Sequence, residues 1–198
     1  MEKAKVFACA ALLALGVIAG CAGTQDPVTL PSASNNQNVF QEVDTTAPPS
    51  QGYLDLYLSF SVKTHKRGAF AKTDKHGTAD YSLAVTIEGQ KLLLHGLVQQ
   101  ENSEPQGMVD PEAGDGIRYR FSTKLRLKAG THRIVVALPA DGIVVTRELT
   151  LEEGRVNTLL LEPIYGSVSG MRSPRDFNST SFRQGVKGIR LTLNGSPV

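Results

Sequence analysis

Tyr53-Leu54-Asp55-Leu56-Tyr57-Leu58-Ser59-Phe60-Ser61-Val62 decides the fold of this chain. Leu54, Leu56, Leu58, Phe60 and Val62 fall on one side of an extended backbone, and Tyr53, Asp55, Tyr57, Ser59 and Ser61 fall on the other. A period of two with one wholly apolar side is the mark of a half-buried strand. Working outward, Tyr81, Leu83, Val85 and Ile87 repeat the alternation, and Glu88-Gly89-Gln90 turns the chain into a strand over 91–100. Ile117, Tyr119, Phe121, Leu125 and Leu127 oppose Arg118, Arg120, Ser122, Lys124, Arg126 and Lys128, a strand whose polar side is cationic. His132, Ile134, Val136 and Leu138 form a further strand, stopped by Pro139-Ala140-Asp141-Gly142. Strands over 143–151 and 157–162 flank the polar turn Glu152-Glu153-Gly154-Arg155, and a last one over 185–194 ends in Asn194-Gly195. No stretch of 12 or more residues after Tyr53 carries a 3.6-residue apolar stripe with helix caps. Residues 53–198 are therefore predicted to be all-β, an antiparallel immunoglobulin-like or transthyretin-like sandwich of seven or eight strands.

The rest of the 198 residues does not look like a second domain. Residues 22–52 are rich in Thr, Ser, Asn, Gln and Pro and hold few apolar residues, which predicts a flexible, disordered tether with a reach on the order of 30 Å. Val39, Phe40 and Val43 could let part of it pack onto the domain. With 21 Lys+Arg against 19 Asp+Glu, net charge gives no reason to invoke nucleic acid, so any basic surface has to come from arrangement.

The N-terminus supplies an address. Lys3 and Lys5 precede an uncharged run over 6–19, too short to cross a hydrocarbon core of about 30 Å, and this reads as an export signal. The run ends Ile18-Ala19-Gly20-Cys21, which resembles the bacterial lipobox: an aliphatic residue, two small residues, then Cys. The resemblance implies a signal peptide over 1–20, a diacylated Cys21 as first mature residue, and membrane attachment through lipid without a transmembrane helix. Ala22 in place of Asp implies outer-membrane sorting. Two other readings stay open: Gly20-Cys21-Ala22 also suits an ordinary signal peptidase that releases a soluble protein, and the segment could remain as an uncleaved anchor. Cys9 falls within the signal, so the mature chain keeps Cys21 alone and forms no internal disulfide. Residues 125–162, with Lys128-Ala129-Gly130-Thr131-His132, Gly142 and Glu152-Glu153-Gly154 between aliphatic strands, resemble PEGA-type modules of bacterial envelope proteins. That resemblance implies display or binding and carries no catalytic centre to transfer.

Chemistry is sparse. His65, His76, His95 and His132 form no short ligand spacing, so no metal site is expected; His65 and His76 read as solvated residues flanking a cationic connection, with a shared surface metal as the lesser alternative. The acidic connection 101–116 departs from the EF-hand ligand order and reads as a solvated loop or one laid against the basic strand. Arg118, Arg120, Lys124 and Arg126 lie about 6.6–7 Å apart at alternate positions, a spacing suited to an anionic glycolipid such as lipopolysaccharide or simply to a soluble strand face. No Gly-x-Ser-x-Gly, phosphate loop or dinucleotide fingerprint is present, and no catalytic residues or cofactor are assigned. The expected function is that of an outer-membrane-anchored periplasmic lipoprotein, a non-catalytic binding or structural module in contact with envelope proteins. A carbohydrate- or anion-binding module, and a hydrolase whose site is dispersed along the sequence, are the alternatives.

Overall fold

A computed structural model describes residues 38–68, 71–107, 110–168 and 180–198. The export signal and Cys21 lie outside these residues. Eleven strands follow one another: β1 (Phe40–Glu42), β2 (Tyr53–Thr64), β3 (Ser82–Ile87), β4 (Gln90–His95), β5 (Leu97–Ser103), β6 (Gly114–Lys128), β7 (Gly130–Leu138), β8 (Ile143–Leu151), β9 (Asn157–Ser167), β10 (Thr180–Leu193) and β11 (Ser196–Pro197). The all-β expectation holds across the described residues. The larger sheet has the order β1-β6-β2-β9-β10-β11, with β5 also paired to β6; the smaller has the order β4-β3-β7-β8.

The deciding stretch does what its period requires. Leu54, Leu56, Leu58, Phe60 and Val62 are all buried, and they meet Tyr119, Phe121, Leu125 and Leu127 of β6 in a cluster that also takes in Leu83, Val85 and Ile87 of β3 and Ile134, Val136 and Leu138 of β7. Both sheets thus contribute to one core, in which Phe60 and Phe121 stack with centroids 5.8 Å apart. At about 25 cal/mol per Å² of apolar surface removed from water, this shared layer is the main stabilising contribution.

Three features differ from the sequence reading. First, the larger sheet is mixed: β2 pairs antiparallel with β6 along its whole length but parallel with β9, from Leu56↔Asn157 to Phe60↔Leu161. After β8 the chain leaves the smaller sheet and enters the larger one beside β2 in the same direction, so a wholly antiparallel sandwich is not formed. Second, the strand expected over 91–100 is two strands in different sheets, β4 on β3 and β5 on β6. The switch falls at Gly96, where an added Cβ would stand 3.1 Å from the Arg120 carbonyl oxygen and from the Phe121 ring. A residue without a side chain lets the backbone pass this close to β6 without displacing its neighbours.

Third, the tether is anchored well before residue 52. Phe40 is buried and β1 pairs with β6 through Phe40↔Leu127 and Glu42↔Leu125. Gln90 clamps this strand: its Oε1 accepts from the Val39 N–H at 2.8 Å and the Phe40 N–H at 3.2 Å, and its Nε2 donates to the Phe40 carbonyl at 2.9 Å. Replacing Gln90 by Ala removes all three bonds, and the expected cost is about 1–3 kcal/mol. Hydrogen exchange at Val39 and Phe40 reads the result directly; unchanged protection of these amides would show that the apolar contact of Phe40 holds β1 alone.

Candidate functional site

The cationic stripe of β6 is present, and the structure gives Arg118, Arg120, Lys124 and Arg126 a partner each. Arg118 donates from Nε to Glu101 Oε2 at 3.1 Å and from Nη1 to Glu112 Oε2 at 2.5 Å. Arg120, about half exposed, donates to Gln99 Oε1 at 2.7 Å. Lys124 and Arg126 share Asp55, at 2.9 and 2.8 Å, and they also donate to the carbonyls of Thr45 at 2.8 Å and Ala47 at 2.7 Å. One half of the stripe therefore holds the acidic connection and the other half holds the tether. The connection closes on itself around Asp110, whose oxygens accept the N–H groups of Gln106 and Glu112, each at 2.9 Å. It lies against the basic strand, one of the two placements its composition allowed.

This pairing fixes the acid limb of stability. The hydrogen bonds from Arg126, then those from Lys124, hold Asp55 below its ordinary pKa of 3.8 against the opposing effect of burial. Arg118 does the same for Glu101, whose ordinary value is 4.5, and the backbone N–H of Gln106 does so for Asp110. For a carboxylate depressed in the folded state, the stabilisation is full above the unfolded pKa and is lost as pH falls through the folded one. As far as these three carboxylates set it, the urea midpoint is expected to stay level from pH 7 to about 5 and to fall steeply below about pH 4. Asp55→Asn should flatten that fall; an equally steep limb in the variant would show that Asp55 does not contribute to it.

Beyond the ion pairs, the outer side of the larger sheet is unusually apolar. Tyr53 and Tyr57 of β2, Leu160 and Ile164 of β9, and Val156 just before β9 all stand exposed. Register places Tyr57 beside Thr158, and Ser59 beside Leu160, so the exposed apolar side chains form a broken band across two neighbouring strands, with polar residues between them. A shallow hollow of about 300 Å³ runs along Pro49, Tyr53, Asp55, Tyr57, Arg155 and Val156. A second of about 300 Å³ lies further along the same side, bounded by Pro111, Arg118, Leu160 and Pro163. Lys124 Nζ sits 5.4 Å from the Tyr57 ring centroid, within reach of a cation–π contact.

The histidines give the largest departure from the sequence reading. His65 follows β2, Asp74 and His76 lie in the β2–β3 connection, Tyr81 precedes β3, and Asp141 sits in the β7–β8 turn. His65 Nε2 is 2.8 Å from Asp74 Oδ2, and His76 Nδ1 is 2.6 Å from Asp74 Oδ1. The other nitrogen of His76 is 3.2 Å from Asp141 Oδ1, and the Tyr81 hydroxyl donates to Asp141 Oδ2 at 2.7 Å. Carboxylates only accept, so with both contacts made His76 donates twice and carries the imidazolium charge. Its pKa is raised accordingly, first by Asp141 and then by Asp74, with burial opposing. Asp74 is held far below the carboxylate range because the bonds from His65 and His76 outweigh burial, while burial together with Asp141 pushes the Tyr81 hydroxyl well up. His76 is largely buried, not solvated, though His65 keeps an exposed edge. The sequence held no motif here because the chain supplies these groups from two loops at spacings of nine, two and sixty-five residues. By contrast, His95 and His132 sit apart from the cluster, each near a backbone carbonyl.

Protein-family models, curated proteins and solved structures give no match to this chain.

Proposed function

We propose that this chain is an exported lipoprotein, attached through diacylated Cys21 to the periplasmic side of the outer membrane, whose β domain is a non-catalytic binding module for another envelope protein. In this reading the two sheets form a sandwich of the immunoglobulin or transthyretin kind, modified by the parallel β2–β9 pair. The supporting observation is the band of Tyr53, Tyr57, Val156, Leu160 and Ile164 on the outer side of the larger sheet. Exposed apolar groups gathered on one face, rich in Tyr and rimmed by polar residues, mark a surface that gains by being covered. The neighbouring Arg118, Lys124 and Arg126 are already committed to Glu101, Glu112 and Asp55, so an anionic glycolipid would have to displace existing partners there.

Two measurements test the reading. Cys21→Ser should move the protein from the membrane pellet to the soluble fraction or leave it as an unprocessed precursor; normal processing with unchanged attachment rejects the lipid anchor. Crosslinking in membranes with a photoreactive residue at position 160 should yield one discrete adduct, lost in the Tyr53→Ala, Tyr57→Ala double variant. A glycan partner is the second reading, favoured by the hollow in which Asp55 stands between two exposed tyrosines. Binding of envelope glycans by the wild type and not by the double variant, with no protein adduct, would decide for it.

A further inference from the structure

We propose that His65, Asp74 and His76 form a binding site for one divalent transition ion, with Zn²⁺ the best match. One nitrogen from each imidazole and one carboxylate oxygen lie within 4.8 Å of one another. In a tetrahedral zinc site with bonds of about 2.1 Å, neighbouring donor atoms stand about 3.4 Å apart. His65 and His76 contact different oxygens of Asp74, Oδ2 at 2.8 Å and Oδ1 at 2.6 Å, and these contacts need to open by less than an ångström to admit an ion between the imidazoles and the carboxylate. Small side-chain rotations supply that movement, since the His65 side chain is 42% exposed and borders solvent.

The surroundings match what a ligating histidine requires. Such a histidine gives its other N–H to a carboxylate, which fixes the tautomer and aims the lone pair at the metal. Asp141, only 4% exposed, occupies that position against His76 Nε2, and Tyr81 orients it by donating to its second oxygen. With Nε2 holding the proton for Asp141, Nδ1 faces Asp74 and the space beside His65. An ion there takes the place of the proton now shared between His76 Nδ1 and Asp74. Asp74 and Asp141 together carry two negative charges, which one divalent ion balances. The two cations that follow His65 are turned to other partners: Lys66 to Asp115 at 2.6 Å, and Arg67 to the carbonyls of Ala71 and Lys72.

Donor type selects the metal. Two imidazoles and one carboxylate suit Zn²⁺, Co²⁺, Ni²⁺ or Cu²⁺, whereas Ca²⁺ and Mg²⁺ want a shell of oxygens. Three protein donors beside an exposed histidine edge leave a fourth coordination position open to water or a small anionic ligand. Bound there, the ion would pin the β2–β3 connection.

Calorimetric titration of the full chain, purified in detergent without a polyhistidine tag and stripped with chelator, tests the site. The expected result is saturable binding of one Zn²⁺ per chain, visible tetrahedral bands with Co²⁺, and no comparable binding of Ca²⁺. His65→Ala, at an exposed position whose loss leaves the core intact, should weaken Zn²⁺ at least tenfold and abolish any rise in melting temperature on adding the ion. Asp141→Asn, which touches no ion, should weaken it about 10- to 100-fold. His95→Ala and His132→Ala should bind as the wild type does. Absence of one-to-one binding, or wild-type affinity in His65→Ala, would overturn the proposal and leave the cluster as a hydrogen-bonded clasp.

Discussion

Replacing Lys63 by Met is expected to lower the stability of the domain by about 3–5 kcal/mol, or roughly 10 °C in melting temperature. Lys63 is fully buried, although it falls on the outer, polar side of β2 by the alternation of the strand. Its ammonium donates to Ser103 Oγ at 2.7 Å, the Glu112 carbonyl at 2.8 Å and the Gly114 carbonyl at 2.5 Å, with Glu101 3.8 Å away. All three acceptors belong to the turn between β5 and β6 or to its edges, so a single side chain ties that connection down onto β2. Met fills nearly the same space but donates nothing. Each acceptor left dry costs about 1–3 kcal/mol, which is why the change is large despite the apolar replacement. Burial pulls the lysine pKa below its ordinary value, with Glu101 opposing, and this again shows how much the site depends on the partners around it. Urea unfolding of Lys63→Met beside Arg120→Gln, whose guanidinium is about half exposed, makes the contrast. A loss under about 1 kcal/mol in Lys63→Met would mean that the connection holds without the ammonium.

Lys63 also shows where sequence patterning stops being informative. Period two located β2, β3, β6 and β7 because one side of each strand meets a continuous apolar core, and burial on that side is a property of each residue type by itself. Whether the other side is wet depends on what folds back over it, and that is decided by residues 17 to 51 positions away. The Lys63–Glu112 contact and the Arg118–Glu101 pair arise in this way, as does the clamp of Gln90 on β1. The acidic composition of 101–116 did suggest a place near the basic strand, since opposite charges at moderate separation attract; its precise seat did not follow from composition. The switch at Gly96 was missed because residues 91–100 keep an extended pattern through it, and passing between sheets changes the neighbours without changing the period. The histidine cluster was illegible for a related reason. Its members come from a connection and a turn that have no period, and their meeting depends on how the two sheets are joined at one end.

The second large effect is expected at Gly116, a residue that reads in sequence as the end of a loop but lies inside β6, paired with Glu101 of β5. A Cβ added there would stand 2.7 Å from the Thr64 carbonyl oxygen, 2.8 Å from the Phe182 ring and 3.0 Å from Lys63 Cε. The first of these is backbone, held by the pairing of Thr64 with Ile117, and cannot swing aside. The glycine is therefore required by close approach of β2 and β10. Gly116→Ala should cost about 2 kcal/mol and Gly116→Val about 3 kcal/mol or more, since each added methyl pushes β6 away from both neighbours. Gly107→Ala, where nothing lies within 4 Å, should stay within about 0.5 kcal/mol of the wild type. Because Lys63 Cε is one of the atoms in the way, the Lys63→Met and Gly116→Ala changes share a partner and should not add: once either has loosened the β5–β6 connection, less remains for the other to disrupt. Chemical unfolding of the two single variants and the double variant measures this coupling. A double variant whose loss equals the sum of the two would separate the lysine from the packing at Gly116, and a wild-type stability for Gly116→Val would show that β6 can shift away from β2 at no cost.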